Sequence, residues 1–328
     1  MKRVYPIIIG SLAIIIVFIL WHYSKRNPSD GSASIRVGIL RHESTLPFYI
    51  ADEYGLFEKH GVKAVLVELP PGDHMPALLS DRVDIISPTS FPMLFGVMLE
   101  HPKLLYVVFP GAEVDNGPTV YGFIVRKDFS GKGIEDLSNS IVMAINPYTQ
   151  VNIRTILTSA GIPKTKWPEI RIASREVALA AVQKGNATAV IMDQPALAVA
   201  LGSNEFRLLE SNPRAKHIGS PYWSGAGAAK RTTWVEKNDQ FDHLMTAIDE
   251  AILQIRSDSL SAHRVLAKRL GLDTAIAEQC GGYYFPTSTE AVPTTGIEGT
   301  IKALVDAGLL REPISMEGFF PPNLYGLK

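Results

Sequence analysis

Hydrophobic and polar positions alternate in blocks from residue 35 onward. Residues 35–40 (IRVGIL) are a short apolar run rich in β-branched side chains, long enough for a buried strand. Polar residues 41–45 follow as a loop. Thr45 suits a helix cap and Pro47 a first helical turn. Leu46, Ile50, Tyr54 and Phe57 then share one helical face, and Gly61 marks its stop. Residues 62–69 predict a second strand, 75–79 a short helix and 83–86 a third strand. This strand–helix alternation is the pattern of a parallel sheet covered by helices. Loops at the carboxyl ends of such strands are where open α/β sheets bind ligands.

The alternation continues. The loop Ser87-Pro88-Thr89-Ser90 leads into residues 91–99, apolar all round and therefore a buried helix. Residues 104–109 predict a strand and 119–125 an extended segment. Gly111 and Asn116-Gly117-Pro118 separate them, which puts the first crossover between two domains there. Strands are expected at 140–145, 170–173, 187–192 and 206–209. Ile153, Ile156, Leu157 and Ala160 mark a helix between the first two, and Ser174 caps another over 175–184. A further helix starts at Pro195, and residues 222–229 read as the return crossover. The rest is helical, with Phe241, Leu244, Met245, Ile248, Ile252 and Ile255 on one face, shorter helices at 260–270 and 274–280, and a last one carrying Ile297, Ile301, Leu304 and Val305. The expected organisation is an anchor or signal segment with its linker (1–34), the first part of lobe 1 (35–118), lobe 2 (119–221), and the return crossover with the helices completing lobe 1 (222–328).

Lys2 and Arg3 precede an uncharged run over residues 4–24, bounded by Lys25 and Arg26. Secretory signals and single-span anchors both have this layout. Tyr5, Trp21 and Tyr23 stand at its ends, where aromatic residues favour a membrane interface. As a helix, residues 5–23 would reach about 28 Å, close to the hydrocarbon thickness. The nearest small-x-small site comes only at residues 31–34, which favours an uncleaved transmembrane helix over a cleaved signal. Residues 27–34 (NPSDGSAS) form a polar linker. The folded body is thus expected at the extracytoplasmic face of a membrane.

Composition narrows the function. Of 328 residues, 46% are apolar and 20% charged, the balance of a folding chain. A net charge of −1 argues against a nucleic-acid binder. Cys280 is the one cysteine, so neither an internal disulfide nor a cysteine metal cluster can form. There is no GxSxG, GxxxxGK[ST] or HExxH, and Gly225-Ala226-Gly227 lacks the context of a dinucleotide loop. His42-Glu43 and Asp73-His74 fall in neighbouring strand-end loops and could together hold a zinc-like ion; the plainer reading is solvated loop residues. No metal or cofactor is expected.

The segments FYIADEYGLFEKHGVKAVLVEL and ALLSDRVDIISPTS resemble the opening of solute-binding proteins from nitrate, sulfonate, taurine and thiamine-precursor ABC importers. The likeness runs from about Ile35 to Leu201. It implies a two-lobed α/β fold of periplasmic-binding-protein type II, each lobe a mainly parallel sheet flanked by helices, after one N-terminal apolar helix. It implies C-terminal helices packed on the first lobe, and a monomer that takes a small-molecule ligand between its lobes and delivers it to an ABC permease and its ATPase. Two alternatives share these features. One is an enzyme like the thiamine-pyrimidine synthases, whose cysteine-rich motif this chain lacks. The other is a membrane-anchored ligand-sensing ectodomain.

The candidate ligand-binding residues are those that this fold gathers at strand ends and helix starts. They are His42, Glu43, Ser44 and Thr45 in the first loop, and Ser87, Thr89 and Ser90 before the buried helix. Asn146, Tyr148 and Thr149, Asp193 and Gln194, and Trp223 and Ser224 come from three later loops. Helix-start N–H groups suit an anion or a carbonyl. Each serine or threonine also has a plainer reading as a cap, and Tyr148, Tyr222 and Trp223 read equally as cleft walls or half-buried aromatics. Glu43, Asp73 and Asp193 beside Arg41, His42 and Arg175 form a mixed charge set. It leaves an oxyanion, a zwitterion and an amino-bearing heterocycle open.

Overall fold

The computed structural model describes residues 34–326, so the expected N-terminal helix and most of its linker lie outside the described residues. Among the described residues no helix is long and apolar enough to cross a membrane. The strands are β1 (Ile35–Ile39), β2 (Ala64–Glu68), β3 (Ile85–Ser90), β4 (Leu105–Glu113), β5 (Tyr121–Arg126), β6 (Ile141–Ala144), β7 (Glu169–Ile172), β8 (Ala189–Asp193), β9 (Phe206–Ser211) and β10 (Tyr222–Lys230). They form two five-stranded sheets, ordered β2-β1-β3-β10-β4 and β7-β6-β8-β5-β9.

The two sheets share one plan. In each, the fourth strand runs antiparallel to its neighbours. That strand is β10 in the first sheet and β5 in the second, while β1 is parallel to β2 and β3 and β6 is parallel to β7 and β8. These are also the strands the chain enters on changing sheets. It leaves β4 and arrives in β5, then leaves β9 and arrives in β10. Two crossovers therefore join the halves.

The helices that shape the site are α1 (Leu46–Glu53), α2 (Phe91–Glu100), α3 (Pro147–Ser159), α4 (Arg175–Gln183), α5 (Ala196–Gly202) and α6 (Pro213–His217). The C-terminal part adds α7 (Asn238–Ser257), α8 (Ser259–Leu270), α9 (Thr274–Ala277) and α10 (Thr295–Asp306). Pleating sorts the cores. Phe123 of β5 faces one cluster with Ile153 and Ile191, and its neighbour Ile124 faces another with Val182 and Val190. Full burial of a side chain such as Phe123 stabilises by about 1.5–3 kcal/mol. Helices α7 and α8 pack on α1 in the first half, as expected. In addition, α9 reaches α5 and α10 reaches α3, both in the second half.

Three expectations change. The helix after Thr45 stops at Glu53, because Gly55 turns left-handed (φ 64°), and only a short turn, Leu56–Lys59, follows. The Ser87–Ser90 loop is the end of β3, with Thr89 opposite Ala226 and Ser90 opposite Gly225 of β10. Residues 222–229 are a central strand and not the return crossover, which is residues 212–221. Small side chains hid β10 from a hydrophobic pattern, yet they are what its place demands. A methyl group on Gly225 would collide with the Thr89 carbonyl, and one on Gly227 with that of Ile86.

Candidate functional site

A cleft of about 530 Å³ lies between the halves at the carboxyl ends of β1, β3, β6 and β8. Its walls carry nine of the fourteen candidates, namely His42, Ser44, Thr89, Ser90, Asn146, Tyr148, Thr149, Asp193 and Ser224.

His42 follows β1 and caps the short turn Glu43–Thr45. The Ser44 N–H donates to its Nδ1 at 3.1 Å, with the Ser44 hydroxyl 3.0 Å away. The other ring nitrogen, Nε2, faces Asp193 Oδ2 across the cleft at 3.7 Å. Arg175, the first residue of α4, donates to Asp193 Oδ1 at 3.0 Å. These charges meet where the halves touch. Burial penalises the charged imidazole, but the nearby Asp193 carboxylate outweighs it, so His42 titrates above its ordinary value. Burial likewise works against the Asp193 carboxylate, and His42 and Arg175 overcome it, holding Asp193 down at about 2. Side-chain exposures of 22% and 29% keep the His42–Asp193 contact partly screened by water.

Asn146 is the cap of α3. Its Oδ1 accepts from the Thr149 N–H at 2.8 Å and from the Thr149 hydroxyl at 3.0 Å. Ser90 precedes α2 without a side-chain capping bond. The Thr89 hydroxyl donates to the Met93 sulfur at 3.3 Å, and Ser224 donates to the Gly111 carbonyl at 3.3 Å. Tyr148 meets Tyr222 hydroxyl to hydroxyl at 3.4 Å.

The other five candidates point elsewhere. Thr45 donates to the Leu40 carbonyl at 2.9 Å and Ser87 accepts the Leu40 N–H at 3.3 Å, so both shape the first loop from beneath. Glu43 is wholly buried. Its Oε2 accepts the Gly281 N–H at 2.6 Å, its Oε1 has no partner among the described residues, and burial pushes its carboxyl up to about 7. Gln194 sits in the joint between the halves. Its amide donates to the Thr119 and Gln279 carbonyls, each at 2.9 Å, and accepts the Ala198 N–H at 3.0 Å. Trp223 is buried against Tyr284, ring centroids 6.2 Å apart.

The four residues weighed as a zinc site do not converge. His42 is committed to Asp193, Glu43 is turned inward and Asp73 is exposed near Arg82. His74 is wholly buried, and burial lowers its proton affinity. Among the described residues no group of three or more His, Cys, Asp or Glu is placed to hold a metal.

Sequence reading missed Tyr121, Arg214 and Tyr283 on these walls. Arg214 pairs with Glu113 through Nε at 3.1 Å and Nη2 at 3.0 Å, and Glu113 also accepts the Ala215 N–H at 2.9 Å. The guanidinium carbon lies 3.8 Å from the Tyr121 ring centroid and 5.0 Å from that of Tyr222. Tyr283 meets the His42 ring edge-on at 6.1 Å. The crossovers are tied by Asn212, wholly buried and left-handed (φ 42°). Its side chain accepts the Val120 N–H at 2.9 Å and donates to the Val114 and Pro118 carbonyls at 2.8 and 3.0 Å.

No family model matches the chain, and no curated protein matches it. Solved structures do. The periplasmic aliphatic sulphonate-binding protein SsuA from Escherichia coli superposes with a TM-score of 0.71 at 18% identity, over 90% of this chain and 94% of that one. The ligand-binding component of an ABC-type import system from Staphylococcus aureus, with zinc bound, gives 0.70 at 13% identity, over 89% and 97%. The desulfurization enzyme DSZB gives 0.64 at 13% identity, over 88% and 96%. The strand order, the two crossovers and these likenesses agree: the chain has the two-lobed periplasmic-binding-protein type II fold.

Proposed function

We propose that the chain is the substrate-binding component of an ABC importer, capturing a small organic or oxyanion solute between its two lobes. The observation that carries this reading is the cleft itself. It lies between two halves joined by two crossovers, its walls come from both, and His42 meets Asp193 across it. A solute touching both walls favours the closed form, because neither wall alone satisfies it. Closure then gives the permease and its ATPase a surface the open form lacks. In this reading residues 1–34 hold the body, as a monomer, at the extracytoplasmic face of the membrane.

One structural neighbour is a desulfurization enzyme, and the one cysteine of this chain, Cys280, does not line the cleft. Cys280 is buried, donates to the Ile276 carbonyl at 3.4 Å, and burial pushes its thiol up to about 12. A thiol held neutral is a poor nucleophile. The test is native mass spectrometry of the chain extracted from its own membranes. One small molecule bound per chain, released unchanged, is the expected result. A released molecule chemically altered on re-incubation would instead make the protein an enzyme.

A further inference from the structure

Two adjacent pairs of residues face each other at the joint. His42 and Glu43 follow β1 in the first half, and Asp193 and Gln194 end and follow β8 in the second. The first members, His42 and Asp193, meet across the cleft at 3.7 Å. The second members grip one short segment. Gln194 donates to the Gln279 carbonyl at 2.9 Å and its Oε1 lies 3.6 Å from the Cys280 sulfur, while Glu43 accepts the Gly281 N–H at 2.6 Å. A methyl group on Gly282 would come within 2.8 Å of the Pro118 carbonyl, so the same segment is pressed against a crossover. Next along, Tyr283 lines the cleft and Tyr284 exchanges backbone bonds with Ala112 of β4 at 2.8 and 2.9 Å. Residues 279–284 thus touch both halves and a crossover, and Glu43 is buried against them.

The Glu43 carboxyl suits this place only when neutral. It is wholly buried, one oxygen holds a single N–H, and the other has no partner among the described residues. A carboxylate shut away from water on one hydrogen bond is costly. The titratable groups around it are His42 on its own turn, Asp193 of β8, Cys280 and Tyr283 on the covering segment, and His263 of α8 beside Gly281. Burial and Asp193 oppose the carboxylate, the His42 charge and the Gly281 N–H favour it, and the carboxyl is pushed up to about 7. We propose that Glu43 is a proton-operated positioning residue for lobe closure: neutral, it lets residues 279–284 seal the joint, and ionised, it draws water in and loosens the lobes. This rests on the reading that the lobes close on a solute, and not on what the solute is. In an opened joint Glu43 meets water and its carboxyl returns toward its ordinary 4.5. The closed form therefore holds this proton more tightly. Its advantage is complete below about pH 4.5 and is lost as pH rises through about 7, by up to about tenfold in the closed-to-open ratio for each pH unit between. His42 acts in the same sense, since losing its proton weakens its attraction to Asp193.

The test follows the full, unliganded chain by small-angle neutron scattering in contrast-matched detergent as pH rises from 5 to 8. The radius of gyration should grow, reversibly and with the far-UV circular dichroism unchanged. Infrared spectroscopy should show the stretch of a buried neutral carboxyl fading over the same range. Glu43→Gln, which is neutral at every pH and keeps an acceptor for Gly281, should hold the smaller radius throughout. His42→Gln removes the other titrating group, and it should still open as pH rises. A radius independent of pH in the parent overturns the proposal. So does equal growth in the parent and in Glu43→Gln. If Glu43→Gln does not fold, the parent alone decides, and growth of the radius without loss of the carboxyl band overturns the assignment to Glu43. None of these failures touches solute capture, which fails only if native mass spectrometry finds no bound small molecule.

Discussion

Glu43 is the side chain most at odds with its surroundings. It is wholly buried, and burial raises its carboxyl from an ordinary 4.5 to about 7, although the His42 charge and the Gly281 N–H pull the other way. The folded chain therefore holds this proton more tightly than the unfolded chain. Its contribution is fully present below about pH 4.5 and is lost as pH rises through about 7. At about 1.4 kcal/mol for each pH unit, this amounts to roughly 3 kcal/mol. His42 acts in the same sense, since its proton affinity is also raised on folding. Thermal stability should fall as pH rises from 5 to 8. Glu43→Gln, which keeps an acceptor for Gly281, should flatten most of that slope. A slope unchanged in the variant would assign it to other groups. At this scale the sequence was informative wherever a residue acts locally. Asn146 could be placed at a helix start, where the structure makes it the cap. Arg214 could not, because its partners Glu113 and Tyr121 are distant in sequence, and a lone arginine in a short polar helix looks like any solvated one.

Among the elements, the two antiparallel strands and the crossovers feeding them decide how the halves are joined. Asn212 bonds to Val114, Pro118 and Val120, so one side chain holds both crossovers in register. Asn212→Ala deletes these bonds and leaves buried backbone groups unpaired, each at about 1–3 kcal/mol. Its left-handed backbone adds strain for alanine. The expected loss is on the order of 3 kcal/mol in chemical denaturation, with a less cooperative transition as the halves uncouple. A loss below 0.5 kcal/mol would remove Asn212 from the joint. Strand β10 explains why this level was only partly legible. Strands β1 and β8 announce themselves by apolar runs, but Gly225 to Ala229 fit between β3 and β4 by being small. Smallness carries no period that would separate such a strand from a loop.

For the whole molecule, the alternation of strands and helices and the resemblance of the opening segments were enough to anticipate a two-lobed α/β fold. The closing of α9 and α10 onto the second half was not, since an amphipathic face tells that a helix packs but not on what. A chain shortened to begin at Ile35 should remain folded and monomeric, because the cores of both halves lie beyond that residue. Its melting temperature should match that of the full chain in detergent, and a loss of more than a few degrees would mean that the body needs residues 1–34. Across the cleft, Asp193→Asn should loosen the contact with His42. Solution scattering of the unliganded variant should then give a larger radius of gyration than the parent, and an equal radius would show that this contact does not hold the lobes together.

The central claim is capture by closure, and solution scattering on the chain stripped of small molecules, then titrated with the molecule released in native mass spectrometry, tests it most directly. Saturation at one molecule per chain with a falling radius of gyration is the predicted result. Saturable binding with the radius unchanged at every concentration would contradict it.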